Sequence, residues 1–138
     1  MNRPRLVPIL VADDDEEDRQ LIRDALKESH LLNEIRFVKD GEELMQALLG
    51  SNSLPGLILL DLNMPKKDGR EVLKELKQHE QFKKIPVIIF STTNNEQEMR
   101  RCYELGANSY ITKPNSFDSL IKTVAVMRNY WMNTTGRS

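Results

Sequence analysis

The sequence holds a single cysteine, Cys102, among 138 residues. One thiol cannot close an internal disulfide, so no covalent framework staples the fold, and a reducing compartment suits it. Histidine is nearly as scarce: His30 and His79 follow helical stretches, far from any paired ligand, and read as surface residues. No apolar run approaches the roughly 18 residues of a spanning helix. Leu6–Ala12 is too short for the apolar part of a signal peptide and leads straight into six acids. A cytoplasmic protein without membrane association is therefore expected. Charge of one sign is not in excess either, with 20 basic and 21 acidic residues and a net charge of −1. That is not the balance of a nucleic-acid binder. What remains is a length suited to one domain, enough to bury roughly two-thirds of the surface of the unfolded chain.

The charge that is present is unevenly placed. Residues 1–65 carry 7 basic and 13 acidic groups, whereas 66–138 carry 13 and 8. Short apolar runs, Val7–Ala12, Ile35–Val38, Leu57–Leu60, Val87–Phe90 and Ser109–Ile111, alternate with amphipathic stretches. Four of the runs are rich in β-branched or long aliphatic residues, as buried parallel strands are. The helical stripes are Leu21, Ile22, Ala25 and Leu26; Leu44, Met45, Leu48 and Leu49; Val72, Leu73 and Leu76; and Met99, Cys102 and Tyr103. A fifth runs from Phe117 through Leu120, Ile121, Val124 and Met127 to Trp131. Gly50 and Gly106 read as helix stops, and Thr93 with Glu96 and Asp68 with Glu71 as helix starts. Five strand–helix units give (βα)5: an α/β fold with a doubly wound, five-stranded parallel sheet. The domain is expected over residues 6–132, with 1–5 and 133–138 as flexible termini and no effector domain.

In such sheets ligands bind at the carboxyl ends of the strands, where strand order reverses. The residues found there are Asp13, Asp14 and Asp15 after the first run and Asp61 after the third. Ser91 and Thr92 follow the fourth, and Lys113 and Pro114 the fifth. With strand order 2-1-3-4-5, Asp13, Asp14 and Asp61 meet at one end of the sheet. Three close carboxylates repel unless a cation joins them, and an oxygen-only set without His or Cys suits a hard divalent ion such as Mg2+. A carboxylate beside such an ion can attack phosphorus, while a hydroxyl and an ammonium take the other phosphoryl oxygens. Each feature has a plainer explanation. An acidic run favours a helix N-terminus by itself, Asp61 could cap a turn, Ser91 could be a loop hydroxyl, and Lys113 a surface charge. The combination, in order after strands 1, 3, 4 and 5, is what points to an aspartyl phosphate.

From about Val7 to Trp131 the sequence resembles the receiver domain of two-component response regulators, a flavodoxin-like fold. The resemblance implies Asp61 as phospho-acceptor and Lys113 and Ser91 as its catalytic partners. It implies a Mg2+ site, with Mn2+ as an alternative ion. The ligands would be Asp14, Asp61 and the Asn63 backbone carbonyl, with Asp13 acting mostly through water. It also implies Ser91 and Tyr110 as the switch pair and a cis Lys113–Pro114 bond. Tyr110 would turn inward once Asp61 is phosphorylated. The segments Asn63–Leu73 and Gly106–Pro114 are similar to single-domain regulators that serve bacterial phytochrome histidine kinases. The partner implied is thus a histidine kinase, a phytochrome among the candidates, and the output is protein–protein contact, with a homodimer through helix 4, strand 5 and helix 5 as one form. The chain would accept and lose a phosphoryl group without turning over an external substrate. Thr92 departs from the smaller residue frequent beside the phosphoryl entrance.

Three other functions share parts of this pattern. An aspartyl-phosphate phosphatase usually has an acid two residues after its nucleophile, where Asn63 stands. An FMN carrier of flavodoxin type would need hydroxyls and amides after strand 1, where Asp13–Asp18 repels an anion. A receiver-like module that is never phosphorylated would not need the full set Asp13, Asp14, Asp61, Ser91 and Lys113. Elsewhere, Cys102 reads as a packed thiol. Lys66, Lys67, Arg70, Lys74 and Lys77 read as a solvated basic face, with kinase steering as the alternative. Tyr130 and Trp131 read as the end of the last helix or as a partner patch.

Overall fold

The structure, a computed structural model, describes residues 7–29 and 33–135, with side chains up to residue 129. Five strands are found, β1 (Ile9–Ala12), β2 (Ile35–Val38), β3 (Leu57–Leu60), β4 (Val87–Ser91) and β5 (Ser109–Thr112). They alternate with α1 (Glu16–Glu28), α2 (Gly41–Leu49), α3 (Gly69–Gln78), α4 (Glu96–Glu104) and α5 (Phe117–Thr135). All strand pairs are parallel, in the order β2-β1-β3-β4-β5. The first strand is shorter than the apolar run suggests, since Val7 and Pro8 precede it. The last helix continues to Thr135, beyond the expected domain end at 132. His30 and the side chains of Tyr130 and Trp131 lie outside the described residues.

The strand residues alternate between two cores, as period-2 geometry requires. Ile9, Val11, Leu57, Leu59, Ile88 and Phe90 pack with Ile22, Ala25 and Leu26 of α1 and Leu120, Val124 and Met127 of α5. Leu10, Ala12, Ile58, Leu60 and Ile89 pack with α2, α3 and Cys102 of α4 on the other face. Each fully buried Leu or Ile contributes roughly 1.5–3 kcal/mol by removal from water. The stripe residues Leu21, Leu49, Tyr103 and Phe117 are exposed instead.

Caps fix where the helices begin at the site end of the sheet. Asp15 caps α1, its side chain accepting from the Glu17 and Asp18 amides, and Glu16, Glu17 and Asp18 then complement the positive end of the helix. Asp68 caps α3, as its spacing to Glu71 predicts. Gly50 ends α2. The cap of α4 is not Thr93 but Asn95, whose side-chain Oδ1 accepts from the Gln97 and Glu98 amides. Thr93 instead lies in the β4–α4 loop, its carbonyl occupied by Tyr110. Gly106, just past α4, has φ +111°, a conformation that favours glycine. Gly69 matters for the site itself: a Cβ there would run into the Asp61 carbonyl, and its amide donates to the Leu62 carbonyl. The chain after β3 thus folds back against Asp61.

Candidate functional site

The acids and the lysine are delivered by strand ends. Parallel pairing places Ala12 beside Leu60, and the Asp61 amide donates to the Ala12 carbonyl at 3.0 Å. Asp13 follows β1, its own amide bonded to the Val38 carbonyl at 3.0 Å. Lys113 follows β5, with its amide donating to the Ser91 carbonyl at 2.7 Å. One carboxylate oxygen from each of Asp13, Asp14 and Asp61 lies within 4.8 Å of the others. Asp13 and Asp61 are buried and Asp14 is exposed. The set is all oxygen and close enough to share one ion, so the chemistry of the donors fits a divalent cation.

Lys113 is the counter-charge, with only 11% of its side chain exposed. Its ammonium donates to Asp13 Oδ2 at 2.8 Å, Asp18 Oδ2 at 2.9 Å and Asp61 Oδ2 at 3.4 Å. Burial works to lower its pKa, but the bonds to Asp13 and Asp18 outweigh that and raise it. Burial also pushes the Asp61 carboxyl up to about 6, against the attraction of Lys113. The Asp13 carboxyl is raised for the same first reason, with the Lys113 hydrogen bond opposing. A group near 6 is still mostly ionised at neutral pH, which a carboxylate nucleophile requires.

The remaining expected residues line the same end. The exposed Asn63 donates its amide to Asp61 Oδ1 at 3.3 Å. Ser91 is fully buried, its Oγ accepting from the Thr93 amide at 3.2 Å, and Thr92 is exposed beside it. Tyr110 is 7% exposed; its hydroxyl donates to the Thr93 carbonyl at 2.7 Å, and its amide donates to Tyr103 Oη at 3.1 Å. The Tyr110 ring is therefore turned inward, the position expected to be favoured once Asp61 is phosphorylated. Its apolar body fills the core beside Cys102 while its hydroxyl keeps a partner, which is how a buried tyrosine is stabilised. The expected cis bond is also corrected: no described peptide bond is cis, Lys113–Pro114 included. Trans is the lower-energy isomer of such bonds, by about 0.5–1 kcal/mol.

Two surroundings differ from their sequence reading. The basic stretch is not simply solvated. Lys67 pairs with Glu75, Arg70 with Asp68 and Glu98, and the half-buried Lys77 donates to the Ile85 carbonyl and Asn108. Nothing in its residue type distinguishes Asp18 within its acidic run, yet it reaches the central lysine. The available signal was Asp15: a cap there puts Asp18 in the first turn of α1, near the strand ends. Cys102 is buried and unpaired, and burial raises its thiol pKa, as a packed residue requires.

Residues 9–125 match the response regulator receiver domain family. The chain is 39% identical to Response regulator Rcp1 of Synechocystis sp., over 96% of this chain and 92% of that one. A solved structure of the phosphorylated cyanobacterial phytochrome response regulator RcpA superposes with a TM-score of 0.88 at 40% identity, covering 95% of this chain and 97% of that one. The Mn2+-bound form of Rcp1 gives 0.85 at 40% identity, with 96% and 99% covered. No helix among the described residues is long and apolar enough to cross a membrane. With the 2-1-3-4-5 sheet and the acid–lysine cluster at its carboxyl end, the chain belongs to the receiver domain family of response regulators, the phosphorylation-controlled signalling modules of two-component systems.

Proposed function

We propose that Asp61 is the phospho-acceptor, taking a phosphoryl group from a histidine kinase, with a phytochrome kinase as the specific partner. The observation that carries this is the convergence of Asp13, Asp14 and Asp61 with the ammonium of Lys113 at one end of the sheet. An Asp61 Oδ forms the new bond to phosphorus as the donor's P–N bond breaks. The electron pair goes to the ring nitrogen, and a protonated phosphohistidine leaves as neutral imidazole. Asp14, Asp61 and the Asn63 carbonyl, with Asp13 as an outer partner, would hold Mg2+ or Mn2+, which when bound would neutralise phosphoryl oxygens. Lys113 pairs with one oxygen, and Ser91 gains a charge-assisted hydrogen bond to another. Ser91 and Tyr110 form the switch. The name of one relative, the cyanobacterial phytochrome response regulator RcpA, supports the choice of kinase. Residues 6–132 form the signalling unit, in the cytoplasm, and the output is contact through α4, β5 and α5.

Intact-mass measurement with acetyl phosphate and Mg2+, then with a panel of phosphorylated histidine kinases, tests the acceptor. Wild type gains one phosphoryl group and Asp61→Asn gains none. Full labelling of Asp61→Asn would move the acceptor elsewhere.

A further inference from the structure

Asp18 is not one of the three acids placed to share a cation, yet its Oδ2 lies 2.9 Å from Lys113 Nζ. An ammonium has three N–H donors and no acceptor. Here all three are directed at carboxylates: Asp13 at 2.8 Å, Asp18 at 2.9 Å and Asp61 at 3.4 Å. The two short bonds anchor the nitrogen, and the long one faces the acceptor.

The anchors come from different elements. Asp13 follows β1 and is itself fixed, with its Oδ1 accepting from the Asp15 amide at 3.0 Å. Asp18 comes from the first turn of α1, where its amide donates to the cap Asp15 at 3.2 Å. Beside it a cleft of about 80 Å³ opens, lined by Asp18, Ile22, Phe90, Lys113, Pro114 and Leu120 among others. Lysine has a flexible four-carbon stem. Toward this cleft its ammonium has the Phe90 ring at 5.9 Å and the Asp18 carboxylate to hold it. Without Asp18 the nitrogen keeps one short anchor and gains room to swing.

We propose that Asp18 is a positioning residue for phosphoryl transfer: it anchors Lys113 so that one N–H is directed at Asp61 and at the phosphoryl oxygen arriving there. This rests on Asp61 being the acceptor. With acetyl phosphate as donor, an Asp61 Oδ bonds to phosphorus, the donor's P–O bond breaks, and acetate leaves with the electron pair.

The test follows acetyl phosphate labelling by intact mass at fixed Mg2+. Compared are wild type, Asp18→Ala, Asp18→Asn, Lys113→Ala and the double variant Asp18→Ala/Lys113→Ala. A displaced ammonium slows the first-order labelling rate about tenfold in Asp18→Ala. Asp18→Asn, whose amide oxygen still accepts, recovers part of that loss. In the Lys113→Ala background Asp18→Ala has no further effect, because residues acting through one another are non-additive. Three results would overturn the inference. Rates could be unchanged in both single variants. Both could rise equally, as removal of one negative charge alone would produce. Or the full loss could persist without Lys113, as a general structural defect would produce. If wild type is labelled but Asp18→Ala matches it, only the positioning role falls. If wild type is not labelled, the acceptor reading falls first and takes this role with it.

Discussion

The Asp61 carboxyl carries a conflict that its neighbours only partly resolve. Burial raises its pKa to about 6, and Asp13 adds repulsion, while Lys113 pulls the other way. A carboxyl raised from 3.8 to about 6 binds more protons folded than unfolded between those values. Stability therefore falls as pH rises through that window, by about 3 kcal/mol at 1.36 kcal/mol per unit. A bound divalent cation favours the ionised form and offsets the loss. Thermal melts in EDTA should lose stability from pH 5 to pH 7 by an increment that Asp61→Asn removes, and millimolar Mg2+ should stabilise more at pH 7 than at pH 5. A Mg2+ effect equal at both pH values would contradict the coupling. Lys66 is a second strained residue, with φ +67° and the Lys67 amide bonded back to the Pro65 carbonyl at 2.7 Å. Its pairing with the buried Asp40 is long, at 3.8 Å, with the lysine end exposed, and offers little in return. Lys66→Gly relieves the left-handed backbone and should stabilise the protein by about 1 kcal/mol in urea unfolding; a loss of similar size would show that the lysine side chain matters more than its backbone.

At the scale of elements, α4 is held by a few specific bonds. Cys102 is its fully buried residue, Arg70 of α3 pairs with its Glu98, and Asn95 caps it. Asn95→Ala should cost about 1 kcal/mol, whereas Thr93→Ala should stay within about 0.5 kcal/mol. Equal losses in chemical denaturation would return the cap to Thr93. The two candidates show where sequence reading stops. Both are good caps, and Thr93 has the capping-box spacing to Glu96, but only the path of the β4–α4 loop decides which side chain meets the free amides. The strands are legible because Ile9–Ala12, Leu57–Leu60 and Val87–Phe90 are buried on both faces and so read as unbroken apolar runs. Asp13, Asp61 and Lys113 are legible for a related reason: parallel strands end on one side, so whatever follows them converges. Asp18 and the inward Tyr110 are not, because each depends on tertiary packing. Asp18 depends on which way the first turn of α1 faces. Tyr110 depends on whether the Thr93 carbonyl is free to receive its hydroxyl.

Taken as a whole molecule, the sheet separates the proposed chemistry from the proposed output. The acid–lysine cluster lies at the strand ends, while α4, β5 and α5 carry exposed apolar side chains, Tyr103 on α4 and Val126 on α5. Tyr103 is more than surface, since its hydroxyl accepts from the Tyr110 amide on β5. The inward Tyr110 is in turn held by Thr93, two residues beyond Ser91 and bonded to its hydroxyl. A chain of contacts therefore runs from Ser91 through Thr93 and Tyr110 to Tyr103, ending on the outer face. Drawing Ser91 toward a phosphoryl oxygen competes with its bond to the Thr93 amide, and so biases the loop that fixes Tyr110. A differential contact energy of roughly 1–3 kcal/mol is enough to shift such an equilibrium 5–150-fold. Sedimentation velocity with Mg2+, with and without beryllofluoride, reads the result. Wild type should associate more strongly when beryllofluoride occupies Asp61. Ser91→Ala should bind the mimic yet lose most of that gain, because the first contact in the chain is gone. Tyr103→Ala should bind it with site affinity unchanged but associate weakly in both states. If Ser91→Ala keeps the full gain in association, the signal reaches α4 and β5 by a route that bypasses Thr93 and Tyr110.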